Sequence, residues 1–158
     1  MVDGKPLTSP AELARGLRPD QRLLGLDVGT KTLGVALSDG SRVVASPLRT
    51  IRRSRFRRDV EALKEIIEAY DVGGVVVGLP VNMDGSEGPR CKSVRQFAAN
   101  VLATLDVAVA FWDERLSTRA VTRTLIEADL SRRRRAEVID KVAAAYILQG
   151  ALDSLRRP

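Results

Sequence analysis

Four carboxylates stand where acids are costly or crowded: Asp27, the adjacent pair Asp113-Glu114, and Asp140. Asp27 sits inside an apolar run, with Leu24, Leu26 and Val28 around it. Burying a carboxylate there without a partner is costly, so a cation or strong donor should face it. A metal ion, a basic side chain or backbone amides would serve, and the plainer alternative is a turn aspartate ending a strand before Gly29. Asp140 lies among Val138, Ile139, Val142 and Ala143, and its i+4 and i+7 neighbours are Ala144 and Ile147, which put it on the apolar stripe of a helix. Taken singly it also reads as a first-turn acid favoured by the helix dipole. Three acids from three elements at one sheet edge repel one another unless a cation lies between them, so together they imply a divalent metal.

The chain has no histidine and a single cysteine, Cys91. Zinc and haem sites of the usual kind and Ser/His or Cys/His nucleophilic centres are therefore excluded. Any metal must be held by oxygen, which points to Mg²⁺ or Mn²⁺. The net charge of +6 and a preponderance of arginine, 21 of 26 basic residues, suggest a polyanionic partner. A GC-rich genome also enriches arginine. The clusters Arg52-Arg53-Ser54-Arg55-Phe56-Arg57-Arg58 and Arg132 to Arg135 nevertheless fit a nucleic-acid backbone better than an evenly solvated surface.

These residues need a scaffold, and 158 residues are enough for one domain. We expect a flexible extension over 1–20, within which Ser9-Pro10-Ala11-Glu12 has the form of a capping box opening a short helix, and a single domain over 21–158. Strands are predicted over Arg22 to Val28, Thr32 to Ser38 and about Arg42 to Arg49, the first two joined at Gly29-Thr30. Apolar spacing by three and four predicts a helix from Phe56 to Tyr70. The unalternating run Val75 to Leu79 predicts an interior parallel strand. A loop over 80–90, a helix from Pro89 to Leu105, a strand from Val107 to Trp112, a helix from Ser117 to about Asp129, a basic turn at Arg132 to Arg135 and a last helix from Ala136 to Leu155 complete the chain. This order gives an α/β fold, an antiparallel three-strand meander followed by two right-handed crossovers to parallel strands. In such sheets ligands bind beyond the carboxyl ends of parallel strands, where Asp27 and Asp113-Glu114 fall. No run approaches the length of a membrane span and no secretory signal is present, so a cytoplasmic protein without membrane contact is expected. Cys91 reads as an inert reduced thiol, or as a bridge between two subunits under oxidation.

Four segments, LDVGTKTLGVALSD, GLPVNMDGSEG, DERLST and DKVAAAYILQ, occur in the order seen in the YqgF (RuvX-like) family of small RNase H-like proteins. The chain resembles that family from about Arg22 to Leu155. The resemblance implies an RNase H-like fold with a central five-stranded mixed sheet flanked by helices. It also implies metal-dependent hydrolysis of phosphodiesters in Holliday-junction DNA or in the 5′ region of pre-16S ribosomal RNA. Asp27, Glu114 and Asp140 match the acidic active-site positions and would hold one or two Mg²⁺ or Mn²⁺ ions. Asp113 competes with Glu114, because neighbouring strand residues point to opposite faces.

Lys31 and Arg115 are placed to meet phosphate oxygens or to neutralise the acids. The loop carrying Asn82 and Gly85 either closes over substrate or is a plain surface turn. Thr118, in DERLST, and Arg132, Arg133 and Arg134 complete the expected substrate contacts. Symmetric cutting of a four-way junction calls for a homodimer, whereas RNA processing does not.

Two other classes compete. Asp27-Val28-Gly29-Thr30-Lys31 also resembles the first phosphate loop of actin-like sugar kinases and ATPases, but those need two lobes. A non-catalytic nucleic-acid binding module would show the same salt-dependent binding without cleavage.

Overall fold

Arg22–Val28 (β2), Thr32–Ser38 (β3) and Ala45–Arg52 (β4) form the antiparallel meander, and Val72–Leu79 (β5) and Ala108–Asp113 (β6) extend it in parallel from the other side of β2. The structure, a computed structural model, describes residues 7–116 and 132–156. The predicted helix over 117–129 and Thr118 lie outside the described residues. Strand β2 sits between β5 and β3 and is buried from Leu23 to Val28, as the uninterrupted apolar run requires.

A sixth, two-residue strand, Leu7–Thr8 (β1), pairs in parallel with β6, giving the order β1-β6-β5-β2-β3-β4. It leads into a short helix, Pro10–Arg15 (α1), whose first turn is capped by Ser9 accepting from the Glu12 amide at 3.2 Å. Leu13 of α1 is buried and packs in the cluster that holds Leu23 and Val76. In its described part, 7–20, the extension is thus anchored by a strand pairing and a buried leucine.

The two sheet faces are covered differently. Helices Phe56–Ala69 (α2) and Pro89–Thr104 (α3) cover one face, over Leu24, Leu26, Val75, Val77 and Val109. The long helix Arg132–Leu155 (α4), with α1, covers the other, over Leu23, Ala36, Val76 and Ala110. The alternation of β2 between these clusters fixes which face every later side chain reaches. Among the described residues no helix is long and apolar enough to cross a membrane.

Three expectations are corrected. Strand β4 begins at Ala45 rather than Arg42, because Asp39 accepts from the amides of Val43 and Val44 at 2.8 and 3.1 Å and Arg42 turns at φ 56°, so the turn extends to Val44. Arg132 to Arg135 belong to the first turn of α4 rather than to a preceding turn. Strand β5 starts at Val72, three residues before the predicted Val75, so the Gly73-Gly74 pair lies within the sheet.

Cys91 is fully buried at the start of α3 and its thiol donates to the Pro80 carbonyl at 3.1 Å. Burial pushes its pKa up. A bridge to a second chain through this thiol is out of reach while α3 stays packed.

Candidate functional site

The position of Asp27 follows from its place in β2. Leu24, Leu26 and Val28 point into the cluster under α2 and α3, and Leu23 into the cluster under α4. Asp27 has the parity of Leu23 and so faces α4, with only 6% of its surface exposed. Its two neighbours across the sheet are glycines. Gly34 is its antiparallel partner on β3, and Gly78 is level with it on β5, one step past the Leu26–Val77 pair.

Each glycine makes room for one of the other two acids. A Cβ on Gly34 would lie 1.9 Å from the Asp140 carbonyl oxygen, so α4 touches the sheet backbone there. A Cβ on Gly78 would lie 2.8 Å from the Glu114 carboxylate and 2.4 Å from Ile147 of α4. Asp27, Glu114 and Asp140 therefore lie over three adjacent strands on one face. Among the described residues no three acidic side chains close into a tight ion cage. The arrangement supplies a shared face and an all-oxygen donor set, which is the chemistry that hard divalent cations take.

Asp140 is held in place by Thr32, the first residue of β3, whose hydroxyl donates to its carboxylate at 2.6 Å. The same turn is closed by the Gly29 amide donating to the Thr32 carbonyl at 2.8 Å. Two arginines fix the end of β2 from the opposite side. Arg90 donates to the Val28 carbonyl at 2.9 Å and Arg53 to the Gly29 carbonyl at 2.6 Å. Arg53 also lies 4.0 Å from buried Asp59 and over the Phe97 ring. Sequence reading missed Thr32, Arg53 and Arg90 as supports of the site. Thr32 carried a signal, since it is two residues from Gly34 and so shares its face. The arginines carried none, because their partners are carbonyls far away in sequence.

Asp113 and Glu114 separate. Asp113 has the parity of Phe111, which packs toward α3, while Glu114 follows Ala110 and Trp112 toward α4 and opens a single 3₁₀ turn, Glu114–Leu116. Asp113 is paired with Arg115 at 2.7 Å and also accepts from the Arg115 amide at 2.9 Å. The Arg115 guanidinium holds the Asp113 carboxyl below the usual carboxylate range. A depressed folded-state pKa stabilises the fold above the ordinary value near ~4, and that contribution is lost as pH falls through the lowered value. Urea titrations between about pH 5 and pH 2 should therefore show wild-type stability falling with acid, and Asp113→Asn falling less steeply over the same window. Equal slopes would mean the pair carries no linkage.

Arg115 also donates to the Met83 carbonyl at 3.3 Å, tying the β6 end to the loop expected over substrate. That loop is internally bonded: Asn82 donates to the Ser86 hydroxyl at 3.0 Å, the Ser86 amide to Asp84 at 2.9 Å, and Gly85 adopts φ 90°. Asn82 and Gly85 are thus loop-shaping residues on an exposed rim, with Met83 88% exposed. Lys31 is exposed in the β2–β3 turn beside Thr32. Arg132, Arg133 and Arg134 start α4, and their side chains lie outside the described residues.

The family model described as "RuvX: Holliday junction resolvase" matches residues 21–154. The chain belongs to the RuvX family. A relative from Paramagnetospirillum magneticum, named "Putative pre-16S rRNA nuclease", is 63% identical over 149 residues, covering 94% of this chain and 96% of the relative. A relative of the same name from Ruegeria pomeroyi is 60% identical over 145 residues, covering 92% and 94%. In shape, this RuvX chain is similar to Thermus thermophilus RuvC in complex with a Holliday junction, with TM-score 0.55 and 15% identity over 85% of this chain and 94% of that one. It is also similar to a fowlpox virus resolvase with bound junction DNA, with TM-score 0.52 and 11% identity over 87% and 100%. The expected RNase H-like architecture of this RuvX chain is therefore borne out, with β1 added at the edge of its five-stranded core.

Proposed function

We propose that the protein is a divalent-metal-dependent endonuclease acting on structured nucleic acid in the cytoplasm, with Asp27, Glu114 and Asp140 as the ion's oxygen ligands. The observation that carries this reading is the pair of glycines flanking Asp27, each filled from above by the residue bearing another acid. A structural aspartate would not need Gly34 and Gly78 on both sides with α4 and Glu114 folded over them.

Bound between these carboxylates, Mg²⁺ or Mn²⁺ supplies water activation and charge stabilisation at the phosphodiester. The chain's own residues do the positioning. Thr32 fixes one Asp140 oxygen, leaving the other to bind. Arg90 and Arg53 hold the Val28 and Gly29 carbonyls, so the end of β2 presents Asp27 rigidly. Lys31 and the Arg115-tied loop with Asn82 and Gly85 border the site, Thr118 precedes α4 in the sequence, and Arg132, Arg133 and Arg134 open that helix. With no histidine in the chain, no side chain of that type is available as proton carrier.

The family description favours a DNA junction and the relatives' names favour an rRNA precursor. Both are branched or folded polyanions. The DNA reading entails a homodimer, with two sites related by a twofold axis. Purified protein with Mg²⁺ or Mn²⁺ should cut a four-way DNA junction or a structured pre-16S fragment, tested side by side, and chelation should stop it. Binding of both without cutting of either, with either ion, would make the chain a non-catalytic binding module instead.

A further inference from the structure

Six of the described arginines are paired with acids: Arg18 with Asp71, Arg53 with Asp59, Arg57 with Glu61, Arg95 with Glu87, Arg115 with Asp113 and Arg156 with Asp153. Four cations beside the candidate site have no acid partner among the described residues. Lys31 from the β2–β3 turn, Arg49 and Arg52 from the edge strand β4, and Lys141 from α4 line one open cleft of about 560 Å³. Among the described residues no acidic side chain lines it, and the remaining polar lining is the hydroxyl-bearing Thr32 and Thr50.

Three features set this cleft apart from an ordinary solvated surface. It is concave. Its cations arrive from three separate elements rather than along one helix face. It also shares Thr32 with the candidate site, and Lys141 directly follows Asp140. Cations gathered in one groove with no acid among the described residues repel one another in the free protein, and a polyanion bound there relieves that repulsion.

We propose that this cleft binds the phosphodiester backbone of the nucleic-acid strand flanking the scissile bond, carrying it along the β4 edge of the sheet away from the acids. The inference rests on the nuclease reading for the position of the scissile bond, and on the cleft alone for backbone binding. Contacts of this kind give affinity and register without sequence readout. Each phosphate neutralised contributes about 0.9 to the slope of log affinity against log salt on duplex and about 0.7 on single strands.

The test compares R49Q/K141Q with a control of equal charge change on remote exposed positions, R15Q/K64Q. Fluorescence anisotropy with a four-way junction and with a pre-16S duplex, over a range of salt, reads the slope for each variant, and a thermal melt checks that both fold. The expected result is a slope reduced by roughly 1.5 to 2 for the cleft variant and by under about 0.5 for the control. Equal slopes for the two variants would overturn the cleft site. So would an acidic peptide that binds the wild-type protein but not the cleft variant while the nucleic-acid slopes stay equal; the cleft then belongs to a protein partner. Cleavage by the wild-type protein, run in parallel, separates the two readings. A wild-type protein that never cuts but loses slope in the cleft variant retains the cleft and removes the nuclease.

Discussion

Asp27→Asn should cut structured nucleic acid on the order of 10² to 10³-fold more slowly than the wild-type protein, with binding affinity in Mg²⁺-free buffer changed by less than about twofold. The amide keeps the size and shape of the carboxylate, so the packing between Gly34 and Gly78 is preserved. What disappears is the charge that an ion needs. Asp140→Asn should behave alike, because its side-chain oxygen still accepts from the Thr32 hydroxyl while the second oxygen is replaced by a nitrogen that is a poor ligand for a hard cation. Thr32→Val separates holding from ligating. It leaves all three acids in place but removes the fixing hydrogen bond, and the loss should be smaller, about 10 to 100-fold, as for partners that orient a metal ligand. Cleavage by both aspartate variants at the wild-type rate would show that the activity comes from elsewhere, whatever the variants bind.

The order of these effects reflects which parts of the site were readable in the sequence. Asp27 was legible because an acid inside Leu24, Leu26 and Val28 breaks a hydrophobic run, and the run itself fixes the strand. Asp113 and Glu114 were not separable, because Val107 to Trp112 is apolar on both faces and carries no alternation to set the register. In the structure that register is set by Phe111 facing α3 and Trp112 facing α4. The five main strands were readable from β-branched runs and their turns, whereas β1 has two residues and therefore no period to read. The late start of β4 depends on one aspartate side chain, Asp39, competing for the Val43 and Val44 amides, a local bond that hydropathy does not register. A glycine inside a strand weakens it, and for Gly34 and Gly78 it is their place beside Asp27 across the sheet that gives them a purpose.

Gly34→Ala is the smallest change that tests that purpose on the fold itself. The new Cβ would stand 1.9 Å from the Asp140 carbonyl oxygen and 2.4 Å from its carbon, and neither atom belongs to a side chain that can rotate away. Either β3 or the backbone of α4 must move by an ångström or more. Overpacking of this kind costs about 3 kcal/mol or somewhat more, which for a chain of this size lowers Tm by roughly 6 to 12 °C. The displacement carries Asp140 away from Asp27, and a shift of about 1 Å in a catalytic group is enough for ~10²-fold in rate. Gly78→Ala meets Ile147 and Glu114 instead, the far ends of two side chains, so it should lose less stability than Gly34→Ala while still pushing the Glu114 carboxylate from its place. Gly16, after α1, has an ordinary φ of −86° and a Cβ there would make only an ordinary contact, 3.6 Å from the Leu13 carbonyl oxygen, so Gly16→Ala should leave cleavage unchanged and raise stability by about 0.4 to 1 kcal/mol. Calorimetry and single-turnover cleavage on the three variants give three different ratios of lost stability to lost rate. A Gly34→Ala protein as stable and as active as the wild type would mean that α4 does not rest on the sheet at Asp140, and the shared face of the three acids would go with it.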